Sequence, residues 1–304
     1  MITKHILITG ATGLLGSTLI PTLQKEGHTV SILTRKPITI KDVKVYLWDI
    51  DLQTIDNNAL QGVDTIIHLA GAGIADKKWT NKRKKEIIES RVKSAQLLYK
   101  TIRKTKAPVT SFISAAAVGY YGNRNDEFLS ETCKPGKGFL ADCCVRWEAA
   151  ADEGKLLDIR VVKIRIGLLL SGAGGALTAI AKPIKFFVGA PLGNGKQWIP
   201  WIHITDVINI FAKAVNDKSM AGAYHATAPV PVTNKLLVKR IAYQLNRPIW
   251  PIHVPAFILR LLLGELSTLV LMSNNTNASQ ILATGYQFSY PHLDEALEEI
   301  YAGI

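Results

Sequence analysis

A doubly wound, parallel α/β sheet with a smaller C-terminal lobe is the fold the sequence predicts, and three observations predict it. Short apolar runs rich in β-branched residues alternate with helical patterns, a glycine-rich turn follows the first run, and beyond about Leu170 the chain turns loop-rich. The candidate strands cover residues 5–9, 29–33, 43–47, 65–69, 111–114 and 161–170. Near-continuous apolar runs suit strands that are covered on both faces, as in a parallel sheet. Between the fourth and fifth runs, Ile88, Val92, Ala95, Tyr99 and Ile102 recur at helical spacing and share one face. Such alternation argues for helices on both sides of one sheet.

The last third reads differently. Gly172, Gly174, Gly175, Pro183, Gly189, Pro191, Gly193 and Gly195 crowd one segment, which suits loops lining a pocket. A helix starts at a Thr233 N-cap and carries Leu237, Ile241 and Leu245 on one stripe, and another runs from Asp294 to Tyr301. Residues 1–170 are therefore expected to form the nucleotide-binding domain, with 201–228 returning to it. Residues 171–200 and 229–304 are expected to form the substrate-side lobe.

A chain of 304 residues, 48% hydrophobic and 20% charged, can bury a sizeable core and is not a disordered composition. The stretch 254–272 is the most apolar, but Pro255, Arg260, Gly264 and Glu265 interrupt it. A membrane span needs about 20 largely uncharged residues, so an amphipathic core helix is expected there. The apolar run Ile6, Leu7, Ile8 is too short for a cleavable signal, and Cys133, Cys143 and Cys144 have neither disulfide-framework nor zinc-ligand spacing. These features point to the cytoplasm. Much of the net charge of +12 sits in Lys77, Lys78, Lys82, Arg83, Lys84 and Lys85. That run reads either as a solvated helix face or as an attractor for a phosphate-bearing ligand. No nucleic-acid motif accompanies it.

The most informative motif is TGATGLLG at residues 9–16, directly after the first strand and opening a helix through Leu19, Ile20 and Leu23. Gly10 and Gly13 permit a tight turn and close approach of backbone to a pyrophosphate, and Gly16 permits close helix–sheet packing. The helix start, with Thr12, Leu14 and Leu15, offers free N–H groups and a partial positive charge. This makes the sheet Rossmann-type. The end of the second strand selects the dinucleotide. A carboxylate there grips the ribose 2′-hydroxyl of NAD, but the chain has Thr34, Arg35 and Lys36, which suit the 2′-phosphate of NADP, the other reading of the two cations being surface charges at a strand end. Asp49 and Ile50 end the third strand, where a carboxylate suits the adenine amino group. Leu69, Ala70 and Gly71 end the fourth beside the adenosine. Both segments are equally compatible with ordinary turn chemistry. Arg91 completes the candidate cofactor-binding set.

These stretches, with SAAAVGYYG at 114–122 and RIG at 165–167, resemble the extended short-chain dehydrogenase/reductases. ADKKWT at 75–80, WEAA at 147–150, PLGNG at 191–195, WIHITD at 201–206 and APVPVTN at 228–234 are similar to its sugar-nucleotide-epimerase-like branch, the YfcH-type epimerase family. The resemblance runs nearly end to end. It implies chemistry with a Ser or Thr and a Tyr-x-x-x-Lys pair, in which the phenol passes a proton while hydride moves. No tyrosine here has a lysine four residues later, and the slots for that pair hold Leu140 and Cys144. Ser114, Tyr120 and Tyr121 are the candidate replacements, set against strand-end hydrogen bonding for the serine and packing for the tyrosines. The resemblance implies that Gln197, Trp198 and His203 border a sugar or nucleotide, set against core packing for these residues and a satisfied structural role for His203. Asp206 suits a helix start and Glu148 a buried helix contact. The expected function is an NADP(H)-dependent, epimerase-like oxidoreductase acting on a small molecule, such as a nucleotide sugar. The other reading is a non-catalytic NADP(H) sensor. No metal, nucleic-acid or membrane partner is expected, and an oligomer is compatible with the sequence.

Overall fold

The computed structural model describes residues 3–302. In chain order the first half holds β1 (His5–Thr9), α1 (Leu14–Lys25), β2 (Thr29–Thr34), β3 (Lys44–Asp49), β4 (Thr54–Ile55), β5 (Thr65–His68), α2 (Asn81–Thr105), β6 (Ser111–Ala117), β7 (Phe128–Leu129) and α3 (Phe139–Asp152). The second half holds β8 (Arg160–Ile166), β9 (Leu168–Leu170), α4 (Ala176–Lys185), β10 (Trp198–Ile199), β11 (Trp201–His203), α5 (Ile204–Asn216), β12 (Gly222–Ala226) and β13 (Val232–Thr233). It closes with α6 (Asn234–Gln244), α7 (Ala256–Leu263), α8 (Thr268–Leu271), β14 (Asn275–Thr276), α9 (Ser279–Ala283) and α10 (Leu293–Tyr301).

One eight-stranded sheet runs in the order β12-β8-β6-β5-β1-β2-β3-β4. Every neighbouring pair is parallel except β3 with β4. The chain starts in the middle, winds outward to β3, then crosses back over β1 to β5. This reversal opens a crevice at the C-terminal ends of β1 and β5, where nucleotides bind in such sheets. One face packs Leu19, Ile20 and Leu23 of α1 and Phe211 and Val215 of α5 on Ile6, Ile8 and Ile32. The other packs Leu98, Tyr99 and Ile102 of α2 and Ala150 of α3 on Leu7, Phe112 and Val161. A third core joins Leu177 and Ile184 of α4 to Leu237 and Ile241 of α6 and Leu297 and Ile300 of α10.

Three expectations change. The run 161–170 is two strands, not one. At Gly167 the backbone leaves the sheet, passing so close to Pro200 that a side chain there would sit 2.4 Å from its oxygen, which requires glycine. β8 stays in the main sheet, while β9 pairs with β11. The stretch 254–272 is not a core helix. Gly264, at φ +58°, ends α7, and α7 buries only Leu259. The basic run is more than a solvated face: Thr80 caps α2 by accepting from Arg83 N at 3.2 Å, and buried Arg83 bonds the Gly73 carbonyl and pairs with Glu86. Lys84 pairs with Glu265, while Lys77, Lys78, Lys82 and Lys85 are exposed. Among the described residues no helix is long and apolar enough to cross a membrane.

Candidate functional site

The glycine loop separates into positions required by the fold and one that is not. Gly10 has φ +71°, and a Cβ there would lie 2.7–2.9 Å from the backbone of Leu69 and Ala70. A Cβ on Gly16 would lie 2.5 Å from Ala11 Cα. Gly10 lets the β1–α1 turn rest on the end of β5, and Gly16 lets the start of α1 close against that turn. Gly13 is different: its φ is −80°, it is exposed, and its nearest neighbour would be the Gly10 oxygen at 3.3 Å. Its missing side chain leaves space above the start of α1, a cradle that a Cβ would fill. No side chain caps α1 and no acid lies in its first turn, so its leading N–H groups face that space. Thr12 is exposed there, and Leu14 and Leu15 are half-buried.

A buried hydrogen-bond chain fixes this loop, and sequence reasoning missed it. The Thr9 hydroxyl accepts from Ala70 N at 3.2 Å and meets His68 Nδ1 at 2.8 Å. His68 Nε2 meets the Ser94 hydroxyl at 3.0 Å, and Ser94 donates to Ser90 O at 2.7 Å. Burial pushes the His68 pKa down to about 4, so the ring is neutral. One direction of donation satisfies every member: Thr9 donates to Nδ1, and Nε2–H donates to Ser94. Only the pairing of β1 with β5 brings His68 beside Thr9.

At the end of β2, buried Thr34 donates its hydroxyl proton to Lys36 O at 2.6 Å. Thr34 thus shapes the turn that carries Arg35 and Lys36. Arg35 and Lys36 are exposed, with no acidic partner among the described residues. Asp49 Oδ1 accepts from Asp51 N and Leu52 N, both at 2.9 Å, so this oxygen serves the turn after β3. Half-buried Ile50 packs on the core below it. Leu69 and Ala70 are half-buried and Gly71 exposed. The Arg91 guanidinium lies over Gly71, where a Cβ would be 2.9 Å from its Cζ. It bonds Ala72 O at 3.0 Å and Ile87 O at 2.9 Å and stacks 4.8 Å from the Trp147 ring. Burial draws its pKa down. Its visible task is to hold the β5–α2 loop.

The sheet's other half sorts the proposed proton carriers. Ser114 is wholly buried and donates to Ala115 O at 2.8 Å, so it is a strand-end hydrogen bond, not a substrate contact. Tyr121 is wholly buried too. Its hydroxyl accepts from Arg165 Nη1 at 2.6 Å and lies 2.6 Å from His225 Nε2 and 2.9 Å from Ser130 O. His225 Nδ1 lies 2.8 Å from Asn277 O, which makes Nε2 the acceptor of the Tyr121 proton. Burial pushes the Tyr121 phenol up and the His225 imidazole down, keeping both neutral. Tyr121 is structural, and that too corrects the expectation. Tyr120 remains. It is half-buried, its hydroxyl has no partner among the described residues, and the Arg165 guanidinium lies 3.8 Å above its ring. Glu148 of α3 holds Arg165 through bonds of 2.7 and 2.9 Å, the buried helix contact expected of it. Leu140 and Cys144 face Gly119, 3.7 and 3.6 Å from where its Cβ would be. Burial pushes the Cys144 thiol up, so this surface is apolar.

Of the substrate-side trio, two are spoken for. Buried Gln197 donates to Leu192 O and Val270 O, both at 3.0 Å, clamping two loops. Buried His203 caps α5, accepting from Thr205 N at 3.3 Å, and meets Glu299 at 3.0 Å. Both therefore take framework contacts, the structural reading that the sequence left open for His203. Trp198 is half-buried, with its indole N–H on Asp126 at 3.0 Å. Asp206 is wholly buried and accepts from Tyr286 OH, Ser289 N and Tyr290 N. Beside Leu140 and the start of α3 lies a cavity of about 260 Å³, lined in part by Asn123, Lys137, Phe139 and Met272.

Residues 6–226 match the model of the NAD dependent epimerase/dehydratase family, and residues 254–300 match a domain of unknown function, DUF1731. An epimerase family protein of Staphylococcus aureus N315 is 36% identical over 98% of this chain and 99% of its own. The human epimerase family protein SDR39U1, crystallised with NADPH, superposes with a TM-score of 0.87 at 29% identity, covering 99% of this chain and 100% of its own. A nucleoside-diphosphate sugar epimerase of Corynebacterium glutamicum gives a TM-score of 0.80 at 30% identity, over 99% of this chain and 58% of that one. With the crevice, the glycine cradle and these likenesses in agreement, the chain belongs to the NAD dependent epimerase/dehydratase family.

Proposed function

We propose that the chain is an NADP(H)-binding, epimerase-like oxidoreductase of the extended short-chain dehydrogenase superfamily, acting on a nucleotide sugar or another small carbonyl or hydroxyl compound. The observation that carries the reading is the uncapped start of α1 beneath Gly13, beside two exposed, unpaired cations at the end of β2. The N–H groups of α1 hold the pyrophosphate, and Arg35 and Lys36 neutralise a 2′-phosphate. Leu69, Ala70 and Gly71 flank the adenosine, and the second oxygen of Asp49 takes the adenine amino group. The human relative's NADPH supports this choice of dinucleotide. When bound, the cofactor supplies a hydride acceptor or donor.

Proton transfer falls to Tyr120, the one candidate with a free hydroxyl. Arg165 provides, across the ring face, the fixed cation that a lysine supplies in a Tyr-x-x-x-Lys pair. The cavity beside Leu140, with Lys137 and Asn123, takes the substrate. We assign residues 1–170 and 201–228 to the cofactor domain and residues 171–200 and 229–304 to the substrate lobe; the pairing of β12 with β8 supports the return. A non-catalytic NADP(H) sensor is the second reading, favoured by the apolar pair Leu140 and Cys144.

Fluorescence titration tests the cofactor. NADPH should bind at least about ten-fold more tightly than NADH, and Arg35→Gln should erase most of that difference, since one charge-assisted contact contributes roughly 1.5–3 kcal/mol. Equal affinities would refute the assignment. Given a substrate, Tyr120→Phe should lower kcat by about 100-fold or more, whereas an unaltered rate would favour another proton carrier.

A further inference from the structure

The strongly apolar helix α7 is poorly covered. α7 reads AFILRLLL and buries only Leu259, while Phe257, Leu261 and Leu262 are 68%, 82% and 65% exposed. Two neighbouring segments extend this face. Phe186, Phe187 and Val188 follow α4 and are all more than half exposed, as are Trp250 and Ile252. The segments are stitched together: the Trp250 indole donates to Phe187 O and its amide to Gly189 O, both at 2.8 Å. The seam continues through Val254 N on Pro191 O at 2.9 Å to Pro255, which precedes α7. Phe187 is held at φ +63°, a left-handed conformation that costs a phenylalanine energy and here keeps its ring outward.

Charge identifies the occupant. The segments that build the face, residues 182–188 and 247–264, contain no Asp or Glu, and Glu265, which follows directly, is paired with Lys84. Lys182, Lys185, Arg247 and Arg260 flank it without an ion pair among the described residues, and Arg247 lies 4.7 Å above the Phe187 ring. A second copy docked face to face would set cations against cations. An anionic occupant would not.

We infer that this face docks on an anionic lipid surface. Phenylalanine, tryptophan and leucine enter the boundary between headgroups and acyl chains, and the lysines and arginines meet the phosphates. The expectation of no membrane partner rested on the lack of a spanning segment, and surface docking needs none. Each flanking cation near such a surface strengthens binding roughly five-fold at moderate salt.

Co-sedimentation with vesicles tests this. The full chain should pellet with vesicles of phosphatidylcholine containing about one-third phosphatidylglycerol. It should bind pure phosphatidylcholine at least about ten-fold more weakly, and added salt should release it. Phe257→Ser with Leu261→Ser should weaken binding at least about ten-fold. Arg247→Gln with Arg260→Gln should weaken it roughly twenty-five-fold. All four side chains are exposed, and an unchanged far-UV spectrum and melting temperature would show each variant folded. Charge-blind binding, or no binding, would overturn the inference. So would a dimer in sedimentation velocity that Phe257→Ser abolishes while vesicles capture nothing. NADPH titration reads the cofactor site independently, so failure of one proposal is distinguishable from failure of the other.

Discussion

The two ends of the crevice are built on opposite principles. Around β1 and β5 the chain leaves backbone groups and cations unspent: α1 has no capping side chain, and Arg35 and Lys36 have no counter-charge among the described residues. Around β6 and β8 almost everything polar is spent internally: Arg165 on Glu148 and Tyr121, Tyr121 on His225, and Ser114 on its neighbour's carbonyl. Unspent polarity marks where a ligand is expected, and spent polarity marks framework. The contrast teaches that a buried tyrosine beside an arginine and a histidine can look catalytic and still be architecture.

Breaking the spent side should cost the most. Glu148→Ala leaves Arg165 buried without its carboxylate, and its removal should destabilise the fold by about 3–5 kcal/mol in urea unfolding. A much smaller loss would mean that the cluster is hydrated. Acid should act next. The unfolded chain protonates His68 near pH 6.5, but the folded chain does so only near 4. Its contribution is complete above about pH 6.5 and is lost as pH falls toward 4, by roughly 3 kcal/mol. His68→Gln should flatten that part of the unfolding profile; an unchanged slope would assign it to His5, His203 or His225, which burial shifts in the same direction. The unspent side should separate stability from binding. Gly10→Val should lower stability by about 3 kcal/mol, because it combines backbone contact with a positive φ. Gly13→Val should cost under about 1 kcal/mol of stability yet weaken NADPH about 100-fold or more. Equal effects on the two readouts would erase the distinction between these glycines.

What the sequence made legible was whatever depends on neighbours in the chain. The β1 turn, the α2 stripe and the carboxylate-free end of β2 are local patterns, and the structure places them as expected. What stayed hidden depends on residues brought together from afar. Thr9, His68 and Ser94 are far apart in sequence, and no spacing rule links them. The break at Gly167 needed the Pro200 carbonyl to be seen. Tyr120 and Tyr121 are adjacent and chemically identical, and only burial separates them. The apolarity of α7 was plain, but whether other residues cover it was not written in its own composition.

Gly167 has one more consequence. Lys163 and Arg165 lie just before it in β8, where they hold Asp152 and Glu148, and Leu168, just after it, begins the pairing with β11. The guanidinium over Tyr120 and the first rung of the β9–β11 ladder are thus mechanically in series along a few peptide units.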